Sequence, residues 1–129
     1  KIIYIKRNFW DVAISIYKQY YVNNIPYAAS FFNIAINLAN HEELIRFWGE
    51  EMNYNFMTVS YEDLVSDTEN IANSVFKYCD IDGNYNENLR KKFFSRTASK
   101  SQISKNISTS SVAKKEFDGF KEGFEKDLV

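Results

Sequence analysis

The sequence is poor in the residues that build disulfide frameworks and tight phosphate-binding turns: it has one cysteine, one proline, one histidine and four glycines in 129 residues. The lone Cys79 excludes an internal disulfide framework and a cysteine metal cluster, and it favours a reducing compartment, which we take as cytoplasmic. No run of about eighteen apolar residues and no signal-peptide pattern occurs, so no membrane span is expected. The glycines stand apart, at positions 49, 83, 119 and 123, so the sequence holds no glycine-rich turn.

The net charge and the hydrophobic content indicate a folded domain that is not a general nucleic-acid-binding protein. The formal net charge is -1, whereas general nucleic-acid binders show a basic balance or stripe. Hydrophobic residues make up 45% of the chain, which is not a disordered composition. The length suits one domain, residues 1–129, and no metal site is expected.

Hydrophobic spacing and capping signals predict two strands among several helices. A strand is predicted over 1–7, and Asn8 is predicted to cap a helix that runs to about Tyr21. A break is predicted at Asn23–Pro26, followed by a helix from about Ala28 to Ala39. A second capping signal, Asn40 with Glu43, predicts either a kink in that helix or the start of another.

A second strand is predicted over 56–61. Ser66 and Glu69 form a capping box that is predicted to open a helix whose buried face includes Cys79. The rest of the chain is predicted as a turn at Asp82–Asn84, a short helix over 87–94, a polar loop over 95–111 and a moderately helical end over 113–128.

The order strand, helices, strand, helix predicts an α/β fold with two parallel strands, a right-handed crossover and a predominantly helical remainder. Because two parallel strands make a poor core and Lys1 opens directly into an apolar strand, we expect the chain to be the C-terminal part of a longer domain. An exposed strand edge would also allow homo-oligomers.

The residues from Arg7 to Ser15 form the strongest candidate site. Arg7 is predicted at the carboxyl end of a strand, where open α/β sheets bind ligands, and it precedes a helix whose N-terminus attracts anions. Arg7, Asp11 and Ser15 follow a spacing of four; arginine and serine can both bind phosphate, whereas Asp11 is expected to cap the helix or to orient Arg7. The alternative is that Arg7 and Ser15 are ordinary solvated residues.

The stretch KIIYIKRNFWDVAISIYKQYY, residues 1–21, resembles the sulfotransferase signature of a strand followed by Arg-Asn-Pro-x-Asp-x-x-x-Ser, with Phe9 in place of the proline. The resemblance implies a P-loop-NTPase-like sulfotransferase fold, incomplete here. It also implies a sulfuryl donor, 3′-phosphoadenosine 5′-phosphosulfate (PAPS), whose 3′-phosphate Arg7 and Ser15 would bind, and the product adenosine 3′,5′-bisphosphate (PAP). The acceptor would be a hydroxyl or an amine.

Three further segments resemble the sulfotransferase family, and the second of them has the form found in its bacterial, tetratricopeptide-associated branch. The segment from Ser60 to Asp67 is similar to the family's Tyr-Glu-Asp-Leu stretch, which would place Tyr61 near the adenine, although Tyr61 could equally end a strand in the core. The segment TASKSQI, residues 97–103, is similar to Thr-Ala-Ser-x-x-Gln-Val and makes Thr97, Ser99 and Gln102 candidates for the base or ribose phosphate. Lys114 keeps the charge of the arginine in the family's Ser-x-Gly-Arg-Trp.

The departures from the family pattern leave alternatives open. The arginine that normally follows Gln102-Ile103 is Ser104, and the glycine and tryptophan around Lys114 are Ala113 and Lys115. The loop for the 5′-phosphosulfate and the catalytic base would lie outside this sequence; the lone His41 is a weak candidate for that base, and the catalytic residue is left unassigned. The chain could therefore be a sulfotransferase fragment, a non-catalytic nucleotide-binding or interaction module of the same ancestry, or a protein similar in fold alone, such as a P-loop kinase relative.

Overall fold

The computed structural model describes residues 1–19, 25–86, 88 and 114–128. These residues divide into two compact units. The first contains residues 1–6, 56–86 and 88, and the second contains residues 7–19, 25–55 and 114–128. Both units are therefore built from separate stretches of chain.

The first unit contains a two-stranded parallel sheet, as predicted. Strand β1 is Ile2–Lys6 and strand β2 is Phe56–Ser60, with Ile2 opposite Phe56 and Lys6 opposite Ser60. Both strands are rich in β-branched residues, which suit the pleated backbone. Val59 is buried, whereas Ile2 and Ile5 of β1 are 43% and 55% exposed, so most of β1 is open to solvent.

Two helices follow β2 in the first unit, α3 at Tyr61–Ser66 and α4 at Thr68–Tyr78. The end of α4 is tied to the start of the chain: the Tyr78 hydroxyl donates a hydrogen bond to the Ile2 carbonyl at 3.2 Å. The Lys1 ammonium lies 5.5 Å from the centroid of the Tyr78 ring and pairs with the Asp80 carboxylate. The predicted buried face of α4 is only half-buried, and this includes Cys79.

The predicted capping box of Ser66 and Glu69 is wrong. Ser66 is the last residue of α3, and its hydroxyl donates to the carbonyl of Asp63 at 3.0 Å instead of opening the next helix. Asp67 is the N-cap of α4, with φ -140° and ψ 63°, and Glu69 lies in the first turn. The predicted turn at Asp82–Asn84 is confirmed by a bend at Gly83, whose φ of +143° favours glycine.

The second unit is helical. It contains α1 at Phe9–Lys18, a 3₁₀ turn at Pro26–Ala29, α2 at Phe31–Glu50, a second 3₁₀ turn at Lys114–Phe117, and α5 at Asp118–Asp127. Its buried core combines three residues of α1, two of α2 and one of α5: Trp10, Ala13, Ile14, Ile34, Ala35 and Phe124. The ring of Trp10 packs against Phe31 and Phe124 at centroid distances of 5.0 and 5.2 Å.

The second 3₁₀ turn packs against the end of α1 through side-chain contacts. The Lys18 ammonium lies 4.9 Å from the centroid of the Phe117 ring and 3.6 Å from a carboxylate oxygen of Glu116. Tyr17 stacks on Phe31 at 4.6 Å, and Phe117 meets both rings edge-on. The C-terminal stretch thus completes the core that holds α1 in place.

Three helix boundaries in this unit differ from the prediction. The helix α1 ends at Lys18, because Gln19 is extended, and does not continue to Tyr21. Residues 28 and 29 belong to a 3₁₀ turn, and α2 begins at Phe31 after Ser30, whose hydroxyl accepts a hydrogen bond from the Asn33 N–H at 3.2 Å. Asn40 does not divide the region into two helices, because α2 is one helix of 20 residues.

The remaining predictions concern the C-terminal half. The helical end over 113–128 is confirmed from Lys114 onward. The predicted helix over 87–94, apart from residue 88, and the predicted loop over 95–111 lie outside the described residues. Among the described helices, none combines the length and the apolar character required to cross a bilayer.

Candidate functional site

The start of α1 is built by a local capping interaction. Asn8 has extended backbone angles (φ -51°, ψ 124°), and its side-chain oxygen accepts a hydrogen bond from the Asp11 N–H at 3.2 Å. The Val12 N–H donates to the Asn8 carbonyl at 3.1 Å, which is the first backbone hydrogen bond of the helix. The predicted N-cap is therefore confirmed, and it directs the positive end of the helix dipole toward the residue that precedes it, Arg7.

Arg7 forms an ion pair with Asp11. The Nη2 atom of Arg7 lies 3.7 Å from the Oδ2 atom of Asp11, four residues further along the chain. The Arg7 side chain is 32% exposed and that of Asp11 is 11% exposed. Asp11 is therefore the more buried partner of the pair, while about a third of the Arg7 side chain faces solvent.

Ser15 lies one helical turn beyond Asp11 and is exposed. The opposite side of α1 carries Trp10, Ala13 and Ile14, which are 4%, 0% and 4% exposed. Asp11 and Ser15 are four residues apart, so they lie on the same side of α1. Because residues of another side are packed in the core, the helix cannot rotate about its axis. Arg7, Asp11 and Ser15 thus all lie in the second unit, and the side chains of Arg7 and Ser15 are accessible to solvent.

Tyr61 lies at the start of a helix and not at the end of the predicted strand. It is the first residue of α3 and is half-buried. The hydroxyl oxygen of Ser60 accepts a hydrogen bond from the Asp63 N–H at 3.2 Å, and the same hydroxyl donates to the Glu62 carboxylate at 3.2 Å. The N-cap at Ser60 therefore sets the position of Tyr61 within the first unit.

The other candidate residues are described in part or not at all. Thr97, Ser99 and Gln102 lie outside the described residues. Lys114 opens the second 3₁₀ turn, three residues before Phe117. His41 lies on the exposed side of α2. No group of three or more metal-ligating side chains occurs within the part of the chain that the structure describes.

Asp11 was not among the predicted binding residues, although the signal for its role is present in the sequence. The spacing of four between Arg7 and Asp11 suggested that the two could pair, and capping was the other role considered. The structure assigns the side-chain cap to Asn8 and pairs the Asp11 carboxylate with Arg7. Its low exposure could not be read from spacing, because it depends on the packing of α1.

Comparison with known proteins identifies the family. A family model described as the sulfotransferase domain matches residues 1–127, which is nearly the whole chain. We find no significant match to the chain among curated proteins or among solved structures. The matched range includes the Arg7–Ser15 segment and both strands. The chain belongs to the sulfotransferase family.

Proposed function

We propose that this chain is the part of a sulfotransferase that binds the 3′-phosphoadenosine end of PAPS. The complete enzyme would transfer a sulfuryl group from PAPS to a hydroxyl or amine and release PAP. The support is the family, together with an arginine that precedes α1 and a serine within that helix. We also propose the tetratricopeptide-associated bacterial branch, from the motif at 97–103, and a cytoplasmic location, from the single cysteine.

The observation that carries this proposal is the setting of Arg7. Its side chain is about one-third exposed, directly precedes the N-terminus of α1 and forms an ion pair with the largely buried side chain of Asp11. A guanidinium can donate two parallel hydrogen bonds to a phosphate, and the helix N-terminus adds a favourable dipole. The exposed hydroxyl of Ser15 can donate one more hydrogen bond. This donor set suits a phosphate dianion better than a neutral ligand.

The other proposed nucleotide-binding residues are supported by their sequence motifs. Tyr61 would contact the adenine, and Thr97, Ser99 and Gln102 would bind the base or the ribose phosphate. Lys114 would supply a positive charge, as a point charge without the planar fork of arginine.

In the proposed enzyme this chain contributes positioning. When bound, PAPS supplies the sulfuryl group: its bond to the 5′-phosphate oxygen breaks as a new bond to the acceptor oxygen or nitrogen forms, and the acceptor loses a proton. Arg7 and Ser15 would fix the far end of the nucleotide and so orient the reacting group. We propose that the residues for the 5′-phosphosulfate and for proton removal lie outside residues 1–129.

PAP binding by the full chain tests this proposal. Isothermal titration calorimetry should show binding of PAP and much weaker binding of adenosine 5′-monophosphate, which lacks the 3′-phosphate. Arg7→Ala should weaken PAP binding by about tenfold to a hundredfold, because it removes charged hydrogen bonds, and Ser15→Ala by up to about tenfold. Arg46→Ala is the matched control, since Arg46 forms an exposed pair with Glu50 on α2. Equal affinity for the two nucleotides would contradict the proposed 3′-phosphate site.

The substitutions at Ser104, Ala113 and Lys115 favour a second candidate, a nucleotide-binding or interaction module without catalysis. Incubation of the complete protein that contains residues 1–129 with PAPS labelled with radioactive sulfur, and with a phenol or a primary amine as acceptor, separates the two. Labelled acceptor supports the enzyme. PAP binding without labelled acceptor supports the module.

We also propose that the chain forms homo-oligomers through β1. The support is the exposure of Ile2 and Ile5 on a strand that pairs with β2 in the first unit. Exposed apolar strands at a sheet edge are common sites of association between chains.

A further inference from the structure

The sequence contains two Asp-Gly pairs, Asp82–Gly83 and Asp118–Gly119. At such a pair the backbone nitrogen of the glycine can attack the side-chain carbonyl carbon of the aspartate, because glycine has no side chain to obstruct the approach. The two pairs therefore have a similar intrinsic reactivity, and their residue types alone do not rank them. The structure distinguishes them by the conformation of the backbone.

The surroundings of the two pairs are alike. Asp82 and Asp118 are both exposed. Apart from neighbouring backbone, neither glycine has a heavy atom within 4 Å of the position that a Cβ atom would occupy, so both lie in open space. Solvent reaches both pairs, and a difference in reaction between them would therefore not come from access.

The backbone of Asp118–Gly119 is held in a helix. Both residues lie in the first turn of α5, whose Phe124 is 2% exposed in the core of the second unit. Attack by the Gly119 nitrogen requires rotation about the bond between the Asp118 Cα atom and its carbonyl carbon. In an α-helix each carbonyl accepts a hydrogen bond from the N–H four residues further on, and this rotation would turn the carbonyl out of the helix. The pair must therefore unfold locally before it reacts.

The backbone of Asp82–Gly83 is not held in this way. Neither residue belongs to a helix or a strand, and the chain bends at Gly83. The φ of Gly83 is +143°, a conformation that residues with a side chain rarely adopt. Rotation at Asp82 breaks no helical hydrogen bond, so the Gly83 nitrogen can approach the Asp82 carboxyl while the rest of the unit stays folded.

We propose that Asp82 is a modification site at which isoaspartate forms spontaneously in the folded protein, whereas α5 protects Asp118. The Gly83 nitrogen forms a bond to the Asp82 side-chain carbonyl carbon, and the N–H proton and the carboxyl hydroxyl leave as one water molecule. The product is a succinimide ring. Water then opens the ring: breakage of the new bond restores aspartate, and breakage of the original peptide bond gives isoaspartate. The overall reaction neither gains nor loses atoms and needs no reagent except water.

Isoaspartate at residue 82 adds one methylene group to the main chain between two attachments to α4. On one side the Ile81 N–H donates to the Phe76 carbonyl at 2.9 Å, and on the other the Tyr85 N–H donates to the Asn73 side-chain oxygen at 2.7 Å. The three residues between these contacts are all exposed, so the extra length can be taken up at the surface. The reaction also creates an exposed main-chain carboxylate, which makes the modified chain a substrate for methyltransferases that esterify isoaspartyl groups.

Prolonged incubation of the complete protein that contains residues 1–129, at neutral pH, tests the proposal. Proteolysis followed by electron-transfer fragmentation in a mass spectrometer quantifies isoaspartate at each position. In the folded protein the yield at residue 82 should be several-fold higher than the yield at residue 118. In guanidinium chloride, which unfolds α5, the two yields should become similar because the yield at residue 118 rises. The wild-type protein suffices for this comparison, so it does not depend on the folding of a variant.

Asp82→Glu is the matched control. It keeps the carboxylate but would have to close a larger ring, which forms far more slowly. The variant should lose the methyl incorporation that an isoaspartyl methyltransferase produces at residue 82 of the wild type, and its yield at residue 118 should not change. Equal yields at the two positions of the folded wild type would overturn the proposal. Absence of isoaspartate at residue 82 of the folded protein would overturn it as well, whether or not the unfolded protein forms it.

Discussion

The side-chain oxygen of Asn8 accepts a hydrogen bond from the backbone N–H of Asp11 at 3.2 Å. This one contact begins α1 and at the same time holds the residue whose carboxylate pairs with Arg7. The stability of the helix start and the geometry of the proposed phosphate site therefore depend on the same side chain.

Replacing Asn8 should affect both properties. Asn8→Ala removes the cap and should lower the free energy of unfolding by about 1 kcal/mol, as loss of an N-cap does. It should also weaken PAP binding, because the first turn that carries Asp11 frays. Asn8→Ser retains a capping oxygen and is the control. Urea unfolding followed by circular dichroism, with calorimetry for PAP, measures both effects; equal losses in the two variants would argue against a capping role.

Removing a buried ring from α5 should destabilise the helical unit strongly. Phe124 is 2% exposed and packs against Trp10, so Phe124→Ala should lower the free energy of unfolding by about 3–5 kcal/mol. Phe120→Ala is the control on the same helix, since Phe120 is 60% exposed, and it should cost far less. Urea unfolding of the two variants makes the comparison. Similar losses from both would mean that the core does not depend on Phe124.

A charge on β1 should prevent the proposed self-association. Ile5 is 55% exposed, and Ile5→Lys places a charge on an apolar strand, which natural sheet edges use to block pairing. Sedimentation velocity over a range of protein concentrations should show larger species for the wild type and monomers for Ile5→Lys. Thr58→Lys, at an exposed position of β2, is the control and should behave as the wild type does. A wild type that stays monomeric at every concentration would refute the association.

Local signals in the sequence predicted the start of α1 and the pairing of the two strands. Asn8 lies directly before an apolar pattern of helical period, and a cap of this kind depends on the sequence within one turn, so the start of α1 could be predicted. The parallel pairing of β1 and β2 could be predicted because two short β-branched stretches flank a helical connection. The arginine and serine of the candidate site follow from the same short motif.

Competition between neighbouring signals explains the errors. The structure has an N-cap at Ser60, whose hydroxyl accepts a hydrogen bond from the Asp63 N–H, and the helix that begins there ends at Ser66, so Ser66 does not open the next helix. Asn40 carries a capping signal inside α2, but the apolar residues on both sides of it continue one helical face, so the helix runs through. The low exposure of Asp11 could not be predicted, because it depends on tertiary packing, which residue spacing alone does not give.

The pairing of β1 with β2 also has a consequence for synthesis. The two strands are separated by residues 7–55, so β1 is made long before its partner. At synthesis rates of about 5–20 residues per second, roughly fifty intervening residues take some 3–10 s. During that interval β1, with Ile2, Ile3 and Ile5, cannot yet pair with β2, whereas the helices between the two strands form from local contacts. The nascent chain is therefore expected to need its β1 segment shielded, by a chaperone or by other parts of the polypeptide, until Phe56–Ser60 has been made.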